Sequence, residues 1–191
     1  PTRIANTFQS VQGVTIKRDT IKQYIDYLKD SFLIEEALRY DVKGRKYIGT
    51  ETKYYFADVG IRAAILNYRQ QEETHIMENI IYNELRSRGY NVDVGLVELG
   101  GKDKNGKFVR KQLEVDFVVN RPPYRVYIQS VFHMPTPKKE QQERRPSLSI
   151  NDHFRKIIIV GDDIHRKEDE LGALTVGLLD FLTDKNLLEQ G

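Results

Sequence analysis

Cysteine is absent from the 191 residues, which excludes a disulfide framework, a thiolate zinc site and a cysteine nucleophile. No run approaches the roughly 18 apolar residues of a membrane span, and no charged-then-apolar leader opens the chain. A cytoplasmic protein without membrane contact is the expectation. No Gly-x-x-x-x-Gly-Lys-Ser/Thr phosphate loop occurs, so the chain itself is expected to carry no ATP. Methionine occurs only at Met77 and Met134, and a chain beginning Pro-Thr-Arg reads as a fragment of a longer product. His75, His133, His153 and His165 show no metal-ligand spacing.

What is present suits a folded domain: 39% hydrophobic and 30% charged residues, with a net charge of only +2. That charge is uneven. Residues 1–70 hold 12 Lys/Arg against 8 Asp/Glu, and residues 71–191 hold 18 against 20. The positive excess sits where a nucleic-acid-binding module would use it.

The N-terminal third reads as a helix-turn-helix with a wing. A helix over Arg3–Gln12 stops at Gly13. A second begins near Asp19, a good N-cap, with Ile21, Tyr24, Ile25 and Leu28 forming one buried stripe. Lys17, Arg18, Lys22 and Gln23 lie at its entry or on its outer side. Phe32–Tyr40 reads as a strand, Asp41–Lys46 as a turn bearing Lys43, Arg45 and Lys46, and Tyr54–Phe56 as a returning strand. Side chains of this kind at a recognition helix and a wing would meet DNA phosphates. They are the expected nucleic-acid-binding residues.

Beyond it, Asp58 is expected to cap a short helix over Ile61–Leu66, and a polar hinge over Asn67–Thr74 leads to a helix over His75–Arg88 stopped by Gly89. Ile76, Met77, Ile80, Ile81 and Leu85 define its inner side, with Glu84 the polar exception and Glu78 on the same half. Strands follow at Tyr90–Leu96, Leu113–Val119 and Tyr124–Phe132. Alternation in the second puts Leu113, Val115, Phe117 and Val119 on one face and Glu114 and Asp116 on the other. A polar helix is expected over Thr136–Pro146, a strand buried on both faces over Lys156–Gly161, and a last strand and helix at Leu174–Val176 and Leu178–Leu182.

The hairpin holding Asp116 and Gln129-Ser130-Val131 resembles the metal-binding hairpin of the restriction-endonuclease-like fold, in which an Asp precedes a strand ending Glu-x-Lys. Nearly the whole chain resembles the C-terminal region of a prokaryotic family of AAA-type ATPases. The stretches that carry this are Thr20–Ile34, Lys53–Arg62, Met77–Leu85 and Glu114–Val118. The resemblance implies an α/β (α+β overall) chain with a winged helix-turn-helix over 1–70 and a restriction-endonuclease-like mixed-sheet domain over 71–191. An ATPase domain with its ATP and Mg²⁺ would lie upstream. Family members read Ile-Glu-Val-Lys where this chain reads Ile128-Gln-Ser-Val, so Gln129 and Val131 stand in the metal-ligand and lysine places. Glu78, Glu114, Asp116 and Gln129 are therefore expected as vestiges of a catalytic set, with Asp116 the residue to hold any metal. The expected function is non-catalytic: nucleic-acid binding or partner docking. Two alternatives stand beside it: an active Mg²⁺-dependent nuclease with a migrated site, using Lys138 or Lys139 as base, and a protein-interaction module that ignores DNA.

Overall fold

The computed structural model describes residues 1–69, 72–102, 106–133, 149–150 and 152–189. Two helices open the chain, α1 (Thr2–Gln12) and α2 (Arg18–Asp30). α1 stops where Gly13 takes a left-handed φ of 67° and returns its N–H to Gln9, a conformation glycine adopts without steric cost. α2 begins one residue earlier than its expected cap. Lys17 is the N-cap without a side-chain bond, and Asp19 falls in the first turn, where its charge meets the positive helix end.

The stripe expected on α2 is only half covered. Ile21 and Ile25 are buried against Ile34, but Tyr24 is 61% and Leu28 41% exposed. α1 buries none of its residues, so the described chain offers too little apolar surface to close over the other two positions.

Strands β1 (Ile34–Asp41) and β2 (Lys46–Phe56) form an antiparallel hairpin, with a register break between Ala37 and Arg39. Helix α3 (Val59–Ile65) is capped as expected, Asp58 accepting from the backbone of Gly60 and Ile61. α4 (Glu73–Ser87) follows, then β3 (Asn91–Lys102), β4 (Phe108–Arg121), β5 (Tyr124–Val131), β6 (Arg155–Val160), the short β7 (Lys167–Glu168), β8 (Ala173–Gly177) and α5 (Leu178–Thr183). The polar helix expected over Thr136–Pro146, with Lys138 and Lys139, lies outside the described residues. No helix among the described residues is long and apolar enough to cross a membrane.

All eight strands join one mixed sheet in the order β2-β1-β3-β4-β5-β6-β8-β7. The fold is thus mixed α/β around a single large sheet. Residues 70 and 71, where two domains were expected to meet, lie outside the described residues. The sheet nevertheless spans both sides of that point, because β1 pairs parallel with β3 through Arg39↔Val94, Tyr40↔Gly95 and Asp41↔Leu96.

α4 packs on one face of the sheet, where Met77, Ile81, Tyr82 and Leu85 meet Phe117, Ile128, Ile157 and Phe181 in the main core. The opposite face carries a smaller cluster around Val97, Val115, Val118 and Tyr127, and another around Val131, Ile158 and Val160. β6 is buried on both faces, as its all-apolar run requires.

One irregularity positions the site. Between the pairs Asp93↔Val118 and Gly95↔Val115, Val94 of β3 faces both Asp116 and Phe117 of β4. This is a β-bulge, and it breaks the alternation expected of β4. Val115 and Val118 pack on one face while Phe117 and Val119 pack on the other. Gly95 makes the crowding tolerable, since a Cβ there would lie 2.8 Å from Val118 Cγ2 and 3.0 Å from Val115 Cβ.

Candidate functional site

The bulge and α4 bring several charged side chains together beside the main core. β2 presents Lys53 and Tyr55 toward α4, two residues apart and so on the same face. The Tyr55 ring stacks on Tyr82 of α4 with centroids 4.1 Å apart, and its hydroxyl donates to Glu78 Oε1 at 2.6 Å. Burial, and then the Glu78 charge, push the Tyr55 hydroxyl well above its ordinary value, so it remains a donor.

Lys53 Nζ lies 2.9 Å from Glu78 Oε1 and 2.6 Å from Glu114 Oε1. Burial works against its charge, but Glu78 and Glu114 outweigh it and the ammonium titrates above the usual lysine value. Arg39 Nη2 holds the other Glu114 oxygen at 3.0 Å. Two cations thus bind two carboxylates across four elements of the fold.

Asp116 sits at the bulge with a different set of partners. Its Oδ2 accepts from Ser130 N at 2.7 Å, Ser130 Oγ at 2.8 Å and Gln129 Nε2 at 2.9 Å. The β4–β5 ladder reaches only to Phe117↔Ile128, so the carboxylate supplies the acceptor that the next N–H of β5 needs. Burial, and then the nearby Glu78 charge, raise the Asp116 carboxyl to about 7, against the lowering pull of the Ser130 bonds and of Lys53. Gln129 is 6% exposed, and its Oε1 is buried with no hydrogen-bond partner among the described residues. Val131 packs with Ile158 and Val160.

The four expected vestigial residues therefore fall in one neighbourhood, as two sets: Glu78 with Glu114 through Lys53, and Asp116 with Gln129. Glu84, expected as the inward polar residue of α4, is instead half-buried and pairs with Arg88 at 2.8 Å, while Glu78 is the buried carboxylate. Lys53, Arg39, Tyr55 and Ser130 complete the cluster and were not anticipated. The one signal for Lys53 was its spacing from Tyr55 in a strand that reads Lys-Tyr-Tyr-Phe.

A divalent ion needs several carboxylate oxygens free to converge. Here Glu78 and Glu114 direct oxygens at one ammonium, and Asp116 Oδ2 already accepts three hydrogen bonds. No group of three or more His, Asp or Glu among the described residues is placed to hold a metal. The present arrangement does not fit Mg²⁺.

The candidate nucleic-acid residues occupy two places. Lys17, Arg18, Lys22 and Gln23 are exposed at the start of α2, where Gln23 Nε2 donates to the Tyr27 hydroxyl at 2.8 Å. Lys43, Arg45 and Lys46 are exposed at the β1–β2 turn, where Arg45 takes a left-handed φ of 52° and Lys43 Nζ donates to Glu98 O at 3.1 Å. His133, two residues beyond the end of β5, pairs with Asp162 at 2.7 Å.

Residues 2–72 match a family described as "Domain of unknown function (DUF8612)". The chain is similar to an uncharacterized protein of Haemophilus influenzae (strain ATCC 51907 / DSM 11121 / KW20 / Rd), with 30% identity over 182 residues. That alignment covers 95% of this chain and 41% of the relative, so the chain spans well under half the length of the curated protein it matches. No solved structure matches.

Proposed function

We propose that this chain is a non-catalytic region of a larger AAA-type ATPase, a nucleic-acid-binding or partner-docking module on a winged helix and a degenerate nuclease-like scaffold. The observation that carries the reading is Lys53 set between Glu78 and Glu114. A cation supplied by the protein's own strand stands among the carboxylates from which a nuclease would build a metal site. The order of elements supports the scaffold. α4, the antiparallel strands β3, β4 and β5, then β6 parallel to β5 follow the succession expected of a restriction-endonuclease-like core. The α1–α2 pair followed by the β1–β2 hairpin supports the winged helix. The greater length of the Haemophilus influenzae relative leaves room for an ATPase domain.

A titration of labelled duplex and branched DNA across a salt series tests the nucleic-acid part. Binding that weakens steeply with salt is expected. Affinity at low salt no better than that of a neutral control protein would leave partner docking as the reading.

The nuclease alternative draws on the same lysine, since Lys53 beside Glu78 and Glu114 could serve as a migrated base. Incubation of supercoiled plasmid with the protein and Mg²⁺ or Mn²⁺, beside Asp116→Ala and Lys53→Met, separates the two. The non-catalytic reading expects no cleavage above background by any of the three. Cleavage by the parent chain that both substitutions abolish would overturn it.

A further inference from the structure

On the sheet face away from α4, Arg125 of β5 stands between two rings, its guanidinium carbon 5.6 Å from the Tyr40 ring centre and 5.1 Å from that of Phe154. Tyr47 extends the row, edge-on to Tyr40 at 5.4 Å. Tyr47 is 60% and Phe154 38% exposed, so each offers a face to solvent. Arg125 bonds to the neutral Asn120 at 2.6 Å and has no carboxylate within ion-pair distance among the described residues.

Two cavities, of about 540 and 300 Å³, share Arg125, Asp152 and Phe154. The smaller runs toward the β1–β2 turn and is lined by Lys43, Arg45 and Arg125 against the single carboxylate of Asp152, giving it an excess of positive charge. Asp152 is itself occupied by the Tyr127 hydroxyl at 2.7 Å. The larger is charge-balanced, with Arg155 and Lys156 facing Glu168 and Glu189. Cavities of this size take a nucleotide unit and are far too small for a double helix.

We propose that this row binds single-stranded nucleic acid, with phosphates on Arg45 and Arg125 and bases stacked on Phe154 and Tyr47. Aromatic faces interleaved with cations that make no ion pair among the described residues are the chemistry that holds a strand without reading its sequence. The inference rests on the nucleic-acid reading above and moves the contact from the outer side of α2 to the β1–β2 turn and β5, on the same face of the sheet.

The test is fluorescence anisotropy of the 191-residue chain with a labelled oligothymidylate of about twelve nucleotides, long enough to span one such site. Phe154→Leu keeps apolar bulk without a π face and is expected to weaken binding about tenfold. Arg45→Gln, at an exposed turn, should lower the slope of log affinity against log salt by about 0.7, one phosphate contact on a single strand. Lys22→Gln on α2 should change neither, and circular dichroism of each variant should match the parent. Strand binding that Phe154→Leu and Arg45→Gln leave unchanged would overturn the inference while the broader reading stands. A preference for duplex, or thymidine monophosphate binding as tightly as the strand, would overturn it too. Failure of the parent chain to bind any nucleic acid at low salt would remove the broader nucleic-acid reading along with it.

Discussion

Asp116 carries a proton further up the pH scale than an ordinary carboxyl, to about 7 from 3.8, because burial and the Glu78 charge disfavour its ionised form. Between these values the folded chain binds more proton at this site than the unfolded chain does. The contribution of Asp116 to stability therefore falls as pH rises from about 4 to about 7 and is flat outside that window. Asp116→Asn keeps an oxygen acceptor for Ser130 and Gln129 and cannot ionise. Thermal melts from pH 4 to 8 should show the variant gaining on the parent across the window and matching or exceeding it at pH 8. A variant that tracks the parent at every pH would sink the account. Lys53 permits a second prediction. Lys53→Met leaves the buried Glu78 and half-buried Glu114 facing each other and should cost about 2 kcal/mol, between the exposed and fully buried limits for broken ion pairs. Adding Glu78→Gln should recover part of that loss in urea unfolding, and strict additivity of the two changes would argue against the coupling. Lys53 was legible as a strand neighbour of Tyr55 but not as a member of this cluster. Its partners come from α4 and β4, which long-range packing brings to β2 and no local pattern records.

Among the elements, the end of β2 is tied to α4 by two amides, of which Asn79 alone satisfies the Phe56 N–H. Asn79 Oδ1 accepts from Phe56 N at 2.9 Å and its Nδ2 donates to Phe56 O at 2.8 Å, so the side chain plays the part of a strand partner at the end of β2. Asn79→Ala strands the Phe56 N–H and should cost about 1–3 kcal/mol in chemical unfolding. Asn83→Ala should cost less, because Phe56 O keeps its bond from Asn79. Equal losses would mean that the amide pairing is not the source. Most elements could be read from periodicity and caps: α4 from its apolar spacing and Gly89, α3 from Asp58, β6 from its unbroken Ile-Ile-Ile-Val. The bulge at Asp116 could not, since it is created by the mismatch between Val94 on β3 and two residues on β4. Tyr24 and Leu28 fit a helical stripe perfectly well in sequence. Their exposure reflects how little of the described chain lies over α2, which is a property of tertiary cover and not of spacing.

For the whole molecule, the continuous sheet makes a claim about cooperativity. The N-terminal hairpin is hydrogen-bonded to β3, and Arg39 of β1 also clasps Glu114 of β4. Calorimetry should show one transition whose van't Hoff and calorimetric enthalpies agree. Two resolved transitions would mean that residues 1–70 and 71–191 melt as independent units. The same pairing governs how the chain must be made. When β1 leaves the ribosome its partner strand follows about fifty residues behind, emerging on the order of seconds later at ordinary translation rates. For that interval one side of β1 is an open edge, able to pair with another nascent chain. Glu35, Glu36, Arg39 and Asp41 place charge along it, and in the finished protein Glu36 and Arg39 go on to pair with Lys29 and Glu114. The residues that later anchor the strand are thus also those that keep it solitary until β3 arrives.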